Sequence, residues 1–173
     1  MDFSLFCAAL QNSGLAQWIN TTRGVYTIIE CVHVIAITLV FGAILVIDLR
    51  LLGVASNNRP FSSVSRDLLR WCWIGFVIAA LTGAMLFLPN AISIGQNRQF
   101  WIKMALIVVA GINMMIFELV TARSVAVWDN TLPTPVAARV SAALSILLWT
   151  AVIVFGRLVG FTAVVDDPFA EVL

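Results

Sequence analysis

A single histidine, His33, stands inside a long apolar run three residues after Glu30, and these two are the first residues of the sequence that could do chemistry. Tyr26, Glu30 and His33 recur at i, i+4 and i+7, the spacing of one helical face. Asp48 follows eighteen residues after Glu30, which at about 3.6 residues per turn returns to the same azimuth. Ionisable groups in a membrane-spanning helix cost roughly 2.5–3.5 kcal/mol at its centre on insertion scales, so they are expected to face inward and to have partners. Two more apolar runs carry such groups. Lys103 shares a face with Met114 and Glu118, with Asn113 beside them, and Arg139, Thr150 and Arg157 share another.

Because successive spans alternate in direction, depth sorts these charges into two layers. Glu30, His33, Lys103 and Arg157 fall in the outer half; Asp48, Arg50, Arg70, Glu118, Arg123 and Arg139 gather toward the cytoplasmic end. Each layer holds both signs. The expected pairings are Glu30 with Arg157 or Lys103 outside, and Asp48 or Glu118 with Arg139 or Arg70 inside. The structural reading is ion pairs that lock helix register, with residues near either boundary, such as Lys103 and Arg123, able to snorkel, and for the cytoplasmic layer it is favoured.

Imidazole can ligate haem iron, titrate near neutrality or hydrogen-bond to a neighbouring helix. A haem b with His33 as axial ligand, Glu30 nearby and Lys103 and Arg157 against its propionates is one expectation; a buried hydrogen-bonding histidine is the other. A bis-histidine haem within one chain is excluded by the single histidine, so the sixth ligand would be Met85, Met104, Met114 or Met115, or the iron would be five-coordinate. Copper would suit imidazole and thioethers, but the neighbours Met114 and Met115 point different ways on a helix. Neither GxSxG, nor a P-loop, nor GxGxxG occurs.

The elements that must position these groups follow from composition. Of 173 residues, 61% are hydrophobic and only 11% charged, with a mean hydropathy of +1.01, whereas soluble domains carry about 25% charged residues. A net charge of +1 provides no basic face for nucleic acid. Four stretches reach the about 20 apolar residues that a helix needs to cross a bilayer: roughly Val25–Leu52, Leu68–Leu88, Phe100–Ala122 and Val140–Val164. The expected fold is all-α, one membrane domain over residues 1–173, a four-helix bundle preceded by an interfacial amphipathic segment, Met1–Thr22. Loops are expected at Gly53–Asp67, Pro89–Gln99 and Arg123–Ala138, from their Pro and Asn residues.

Arg50, Arg59, Arg66 and Arg70 around the first loop, with Arg123 and Arg139 around the third, outnumber Arg23 and Arg98 on the other side. The excess of positive charge predicts that both termini face away from the cytoplasm, with Trp18 and Trp101 at the outer interface and Trp71, Trp73 and Trp128 at the inner one. The N-terminus lacks the order of a signal peptide. Cys7, Cys31 and Cys72 have no metal-type spacing and read as small apolar packers. In the second span Gly75, Ala79 and Gly83 form a small-residue face that lets another backbone approach.

The ordered set Glu30-x-x-His33, Asp48-Leu-Arg-Leu-Leu-Gly53, Thr82-Gly83 with Leu86-Phe87, Phe100-Trp-Ile-Lys103, Asn113, Arg139, Ser145 with Trp149, and Gly156-Arg157 resembles a family of small bacterial inner-membrane proteins built on a domain of unknown function. More distantly, the first-span histidine, the arginine-leucine motif after it and the Trp-x-x-Lys start of the third span are similar to the membrane protoporphyrinogen-oxidase and copper-resistance D types. The first of these implies haem binding and porphyrin oxidation at positions matching His33 and Lys103. Three roles are therefore expected to compete: a redox-linked haem site; a homo-oligomeric or accessory scaffold in a membrane complex, assembled through the N-terminal segment and the Gly75/Ala79/Gly83 face; and a small proton-coupled transporter using Glu30, His33 and Lys103 as a relay.

Overall fold

The computed structural model describes residues 3–55, 58–121, 125–129 and 134–162, all helical or in short connections. Two short helices, α1 (Phe3–Gln11) and α2 (Gly14–Thr21), lead into α3 (Val25–Leu52). Helix α4 (Phe61–Phe87) runs through a 3-10 turn, Leu88–Asn90, into α5 (Ala91–Gln96). Helix α6 (Arg98–Ile116) ends in a π turn, Phe117–Thr121, followed by α7 (Val125–Trp128) and α8 (Val136–Thr162). Four helical stretches, Val25–Leu52, Phe61–Gln96, Arg98–Val120 and Val136–Thr162, are long and apolar enough to cross a membrane. The chain is thus an all-α, multi-pass membrane bundle with shorter helices before it. The end that carries α1 and α2 is called upper below, and the opposite end lower.

Helix α3 is the hub: it packs along α4 on one side and against α8 on the other, while α6 packs on α8. The α3/α4 contact is close because Gly75 has no side chain. A Cβ there would lie 3.0 Å from Val40 Cγ2 and 3.2 Å from the Ala36 carbonyl oxygen. The small-residue face of the second span is therefore filled from within the chain, by α3, and the scaffold reading loses that face as a free assembly surface.

Burial is inverted relative to a soluble bundle. Ile35, Leu81, Val108 and Leu147 are exposed, while Asp48, Arg50, Asn90 and Thr134 are buried. In lipid, apolar side chains gain nothing by facing inward, and small and polar residues take the helix contacts. Helix α8 follows this rule: its buried positions are Ala138, Ala142 and Val152.

Several element boundaries differ from expectation. Helix α4 begins at Phe61, within the expected loop, because its first turn is capped from elsewhere in the chain, as described below. The Pro89–Gln99 connection is itself largely helical, and α8 begins at Val136 within the third expected loop. Ala163 and Val164, the expected end of the fourth span, lie outside the described residues. Trp128 belongs to a buried cluster with Leu51, Phe61, Ala138 and Ala142 rather than to an interfacial belt. Trp18, Trp71, Trp73 and Trp101 are exposed. Cys7 packs near Gly95 of α5, whereas Cys31 is exposed rather than packed.

Candidate functional site

All four long helices send a residue to one place in the upper half. His33 of α3 lies against α4, where a Cβ on Gly83 would be 3.0 Å from its Cε1. Lys103 of α6 lies across Gly156 of α8, where a Cβ would be 3.6 Å from Nζ, and the lysine is within electrostatic reach of the imidazole. Both side chains are half-buried. Two glycines thus make room for the two groups.

The histidine is held in one orientation. Its Nδ1 is 2.9 Å from Thr82 Oγ1, and that hydroxyl donates to the Ile78 carbonyl oxygen at 2.7 Å. A threonine hydroxyl has one hydrogen, here within reach of the Ile78 and Ala79 carbonyl oxygens at 2.7 and 3.3 Å, and in one tautomer of the histidine a carbonyl takes it. Oγ1 then accepts from Nδ1–H, and the Ala79 carbonyl, also bonded to the imidazole, can only accept. In that Nδ1–H tautomer Nε2 carries a lone pair and no hydrogen. Histidines that ligate metals are ordinarily fixed in this way, one ring nitrogen donating to the protein and the other turned to the metal. Above this point Tyr26 bonds to Asn90, a buried residue of the 3-10 turn.

Glu30 and Arg157 do not join the cluster. Both are exposed, and the Arg157 guanidinium sits 5.0 Å from the centroid of Phe161 on its own helix. The expected pairing of Glu30 with Arg157 or Lys103 is absent: among the described residues the one ion pair is the exposed Arg59–Asp67, at 2.7 Å. Sharing an azimuth with Asp48 did not bury Glu30, because an azimuth is buried only where a neighbouring helix covers it. Glu30 instead lies within electrostatic reach of Tyr26, one turn before it on α3.

The lower half is organised differently. Arg50 is 1% exposed and acts as a clamp, Nε donating to the Arg59 carbonyl at 2.9 Å and Nη2 to the Asp129 carbonyl at 3.2 Å. It thereby ties the end of α3 to the connections before α4 and after α7. Asp129 in turn caps α4. Its carboxylate accepts from the Ser62 N–H and the Ser62 hydroxyl, both at 2.7 Å, and its carbonyl accepts from Phe61 N–H at 3.2 Å. The residue before α4, Pro60, has no side chain that could do this. These bonds to Ser62 hold the Asp129 carboxyl below the usual carboxylate range. Helix α3 ends at Gly53, whose φ of +77° suits glycine, and the Thr134 hydroxyl bonds to the Leu51 carbonyl.

The expected lower ion pairs are not formed. Asp48 is buried on α3 with Ser145 of α8 as its hydrogen-bonding neighbour, and its Oδ2 has no partner. Arg70, Glu118 and Arg139 are exposed, without an ion partner among the described residues, and Arg123 lies outside those residues. The shared face of Arg139, Thr150 and Arg157 points out of the bundle; all three are exposed. One turn below Ser145, Ser141 exchanges two hydrogen bonds with Asn113 of α6, at 3.1 and 3.2 Å.

No group of three or more His, Cys, Asp or Glu side chains suited to a metal ion occurs among the described residues. The copper option weakens further because Met104, Met114 and Met115 are all exposed. A metal held by its own macrocycle asks less of the protein, since one imidazole suffices.

Fold and site together define a polytopic membrane bundle with polar residues buried at two depths. Residues 7–162 match the model of a family of unknown function, DUF6644, and the chain belongs to that family. No curated protein and no solved structure matches it.

Proposed function

We propose that the upper cluster is a ligand site whose occupant is haem b, held by His33 through Nε2 in a redox-linked role. The observation that carries this reading is the Thr82 hydroxyl, 2.9 Å from Nδ1: with Nδ1–H donating to it, the ring is fixed and Nε2 is the nitrogen that a ligand would take. Lys103 would face an anionic group of the same ligand, a propionate in the case of haem, with its stem lying over Gly156. Glu30 and Arg157, both exposed, are not part of this proposed site. Bound haem would supply one-electron chemistry; the chain itself supplies the imidazole, its orientation and the cation. The more distant resemblance to the protoporphyrinogen-oxidase type, centred on the positions of His33 and Lys103, agrees with this choice of residues. The positive-inside bias in the first and third loops supports a bacterial inner-membrane location with the upper end periplasmic.

The test is titration of the detergent-purified, haem-free protein with haemin, followed by absorption. Wild type should develop a saturable Soret band at one haem per chain. His33→Ala should abolish saturation, and Lys103→Met should weaken binding while retaining the spectrum. Equal binding by wild type and His33→Ala would overturn the assignment.

A further inference from the structure

The lower half contains a carboxylate that the ligand site does not use. Asp48 is 6% exposed, and its Oδ2 is buried with no hydrogen-bond partner. Burying an ionised carboxylate without a compensating cation costs far more than burying the neutral acid. The charged groups on the surrounding elements do not supply that cation. On α3 itself, Arg50 is two residues away; it directs Nε and Nη2 to the Arg59 and Asp129 carbonyls, and its Nη1 is buried without a hydrogen-bond partner, Asp48 included. On α4, Arg66, Asp67 and Arg70 are exposed; on α8, Arg139 is exposed, and so is Glu118 in the π turn after α6. Asp129, beyond α7, is engaged with Ser62. Among the described residues no ion pair reaches Asp48.

We propose that Asp48 is a proton-binding site: a carboxylic acid that holds its proton at neutral pH, with Ser145 as its hydrogen-bond partner. A sodium ion is the less suitable occupant, because it would need several oxygen ligands, and among the described residues Ser145 is the side-chain hydrogen-bond partner given for the carboxyl. Below it on the same face of α8, Ser141 with Asn113 continues the polar line toward the lower end of the bundle. The atoms balance simply: the O–H bond of the acid breaks to give the carboxylate and a proton, and forms again on uptake.

Infrared spectroscopy of the full-length protein in lipid tests this directly. At neutral pH the carbonyl stretch of a protonated carboxylic acid should be present, should shift with carbon-13 aspartate labelling and with deuterium exchange, and should be missing in Asp48→Asn. Ser145→Ala should shift its frequency, as loss of a hydrogen bond requires, and exchanging choline for sodium should leave it unchanged. Absence of an aspartate-sensitive band in the labelled wild type would overturn the proposal without reference to any variant. A band that disappears when sodium replaces choline would overturn it in favour of a cation site.

Discussion

The upper and lower halves of this bundle draw on the same residue types and put them to opposite uses. In the upper half His33 and Lys103 are half-buried, set against Gly83 and Gly156, and the imidazole meets the Thr82 hydroxyl through Nδ1. In the lower half Arg50 spends its guanidinium on two backbone carbonyls, Asp129 caps a helix across the chain, and Phe61 packs on Phe117 and Trp128 at 5.9 and 5.4 Å. The lower arrangement fastens connections together, and beside it Asp48 keeps one buried oxygen without a partner. A polar residue in a membrane helix therefore announces its role through what its last free atom faces, more than through its charge or depth.

Substitutions can break this contrast. The largest effect is expected from Arg50→Ala, which removes a buried guanidinium and leaves two part-buried carbonyls without a charged donor, and should cost about 3 kcal/mol. Thermal unfolding in detergent would show it, with Arg50→Lys a poor replacement because an ammonium cannot reproduce the planar fork. Gly75→Ala comes next. The added methyl would meet Val40 and the Ala36 carbonyl within 3.2 Å, so α3 and α4 must separate at a cost of about 1–3 kcal/mol.

Thr82→Val sharpens the comparison from the other side. Losing the acceptor for Nδ1 should weaken ligand binding at His33 by about 10–100-fold, the usual range for such supporting contacts, while the unfolding midpoint moves little. Were stability to fall and ligand affinity stay constant, the upper cluster would be a fastening like the lower one.

The smallest effect concerns Asp129, whose bonds to Ser62 depress its carboxyl pKa in the folded protein. A depressed folded value gives stability that is complete above the ordinary carboxylate value of about 3.9 and is lost as pH falls through the lower folded one. Wild type should therefore lose its advantage over Asp129→Asn on acidification, and the Asp129→Ala cap deletion should cost about 1 kcal/mol at neutral pH.

Much of this fold could be read from hydropathy, since the length of Val25–Leu52 and its bounding glycines leave little choice of element. Helix α4 was less legible: its cap comes from Asp129, far along the chain, and no local signal at Pro60 announces it. Of the site, His33, Lys103 and the Gly83 face could be read from type and spacing. Thr82 stands in the sequence only beside Gly83 in a motif, and its role needed the α3/α4 register. The eighteen-residue recurrences misled for Glu30, Arg139 and Arg157 because periodicity gives an azimuth without saying which azimuth is covered. On α8 the better guide was the small-residue series Ala138, Ala142 and Ser145, which marks the packed side in lipid.

The central claim, that His33 presents a free nitrogen to haem, is tested most directly by oxidised and dithionite-reduced absorption spectra of protein purified in mild detergent from haem-replete cells. The account predicts a b-type spectrum at one haem per chain that is lost in His33→Ala and diminished in Thr82→Val. A featureless spectrum from wild type that also fails to take up added haemin would contradict it.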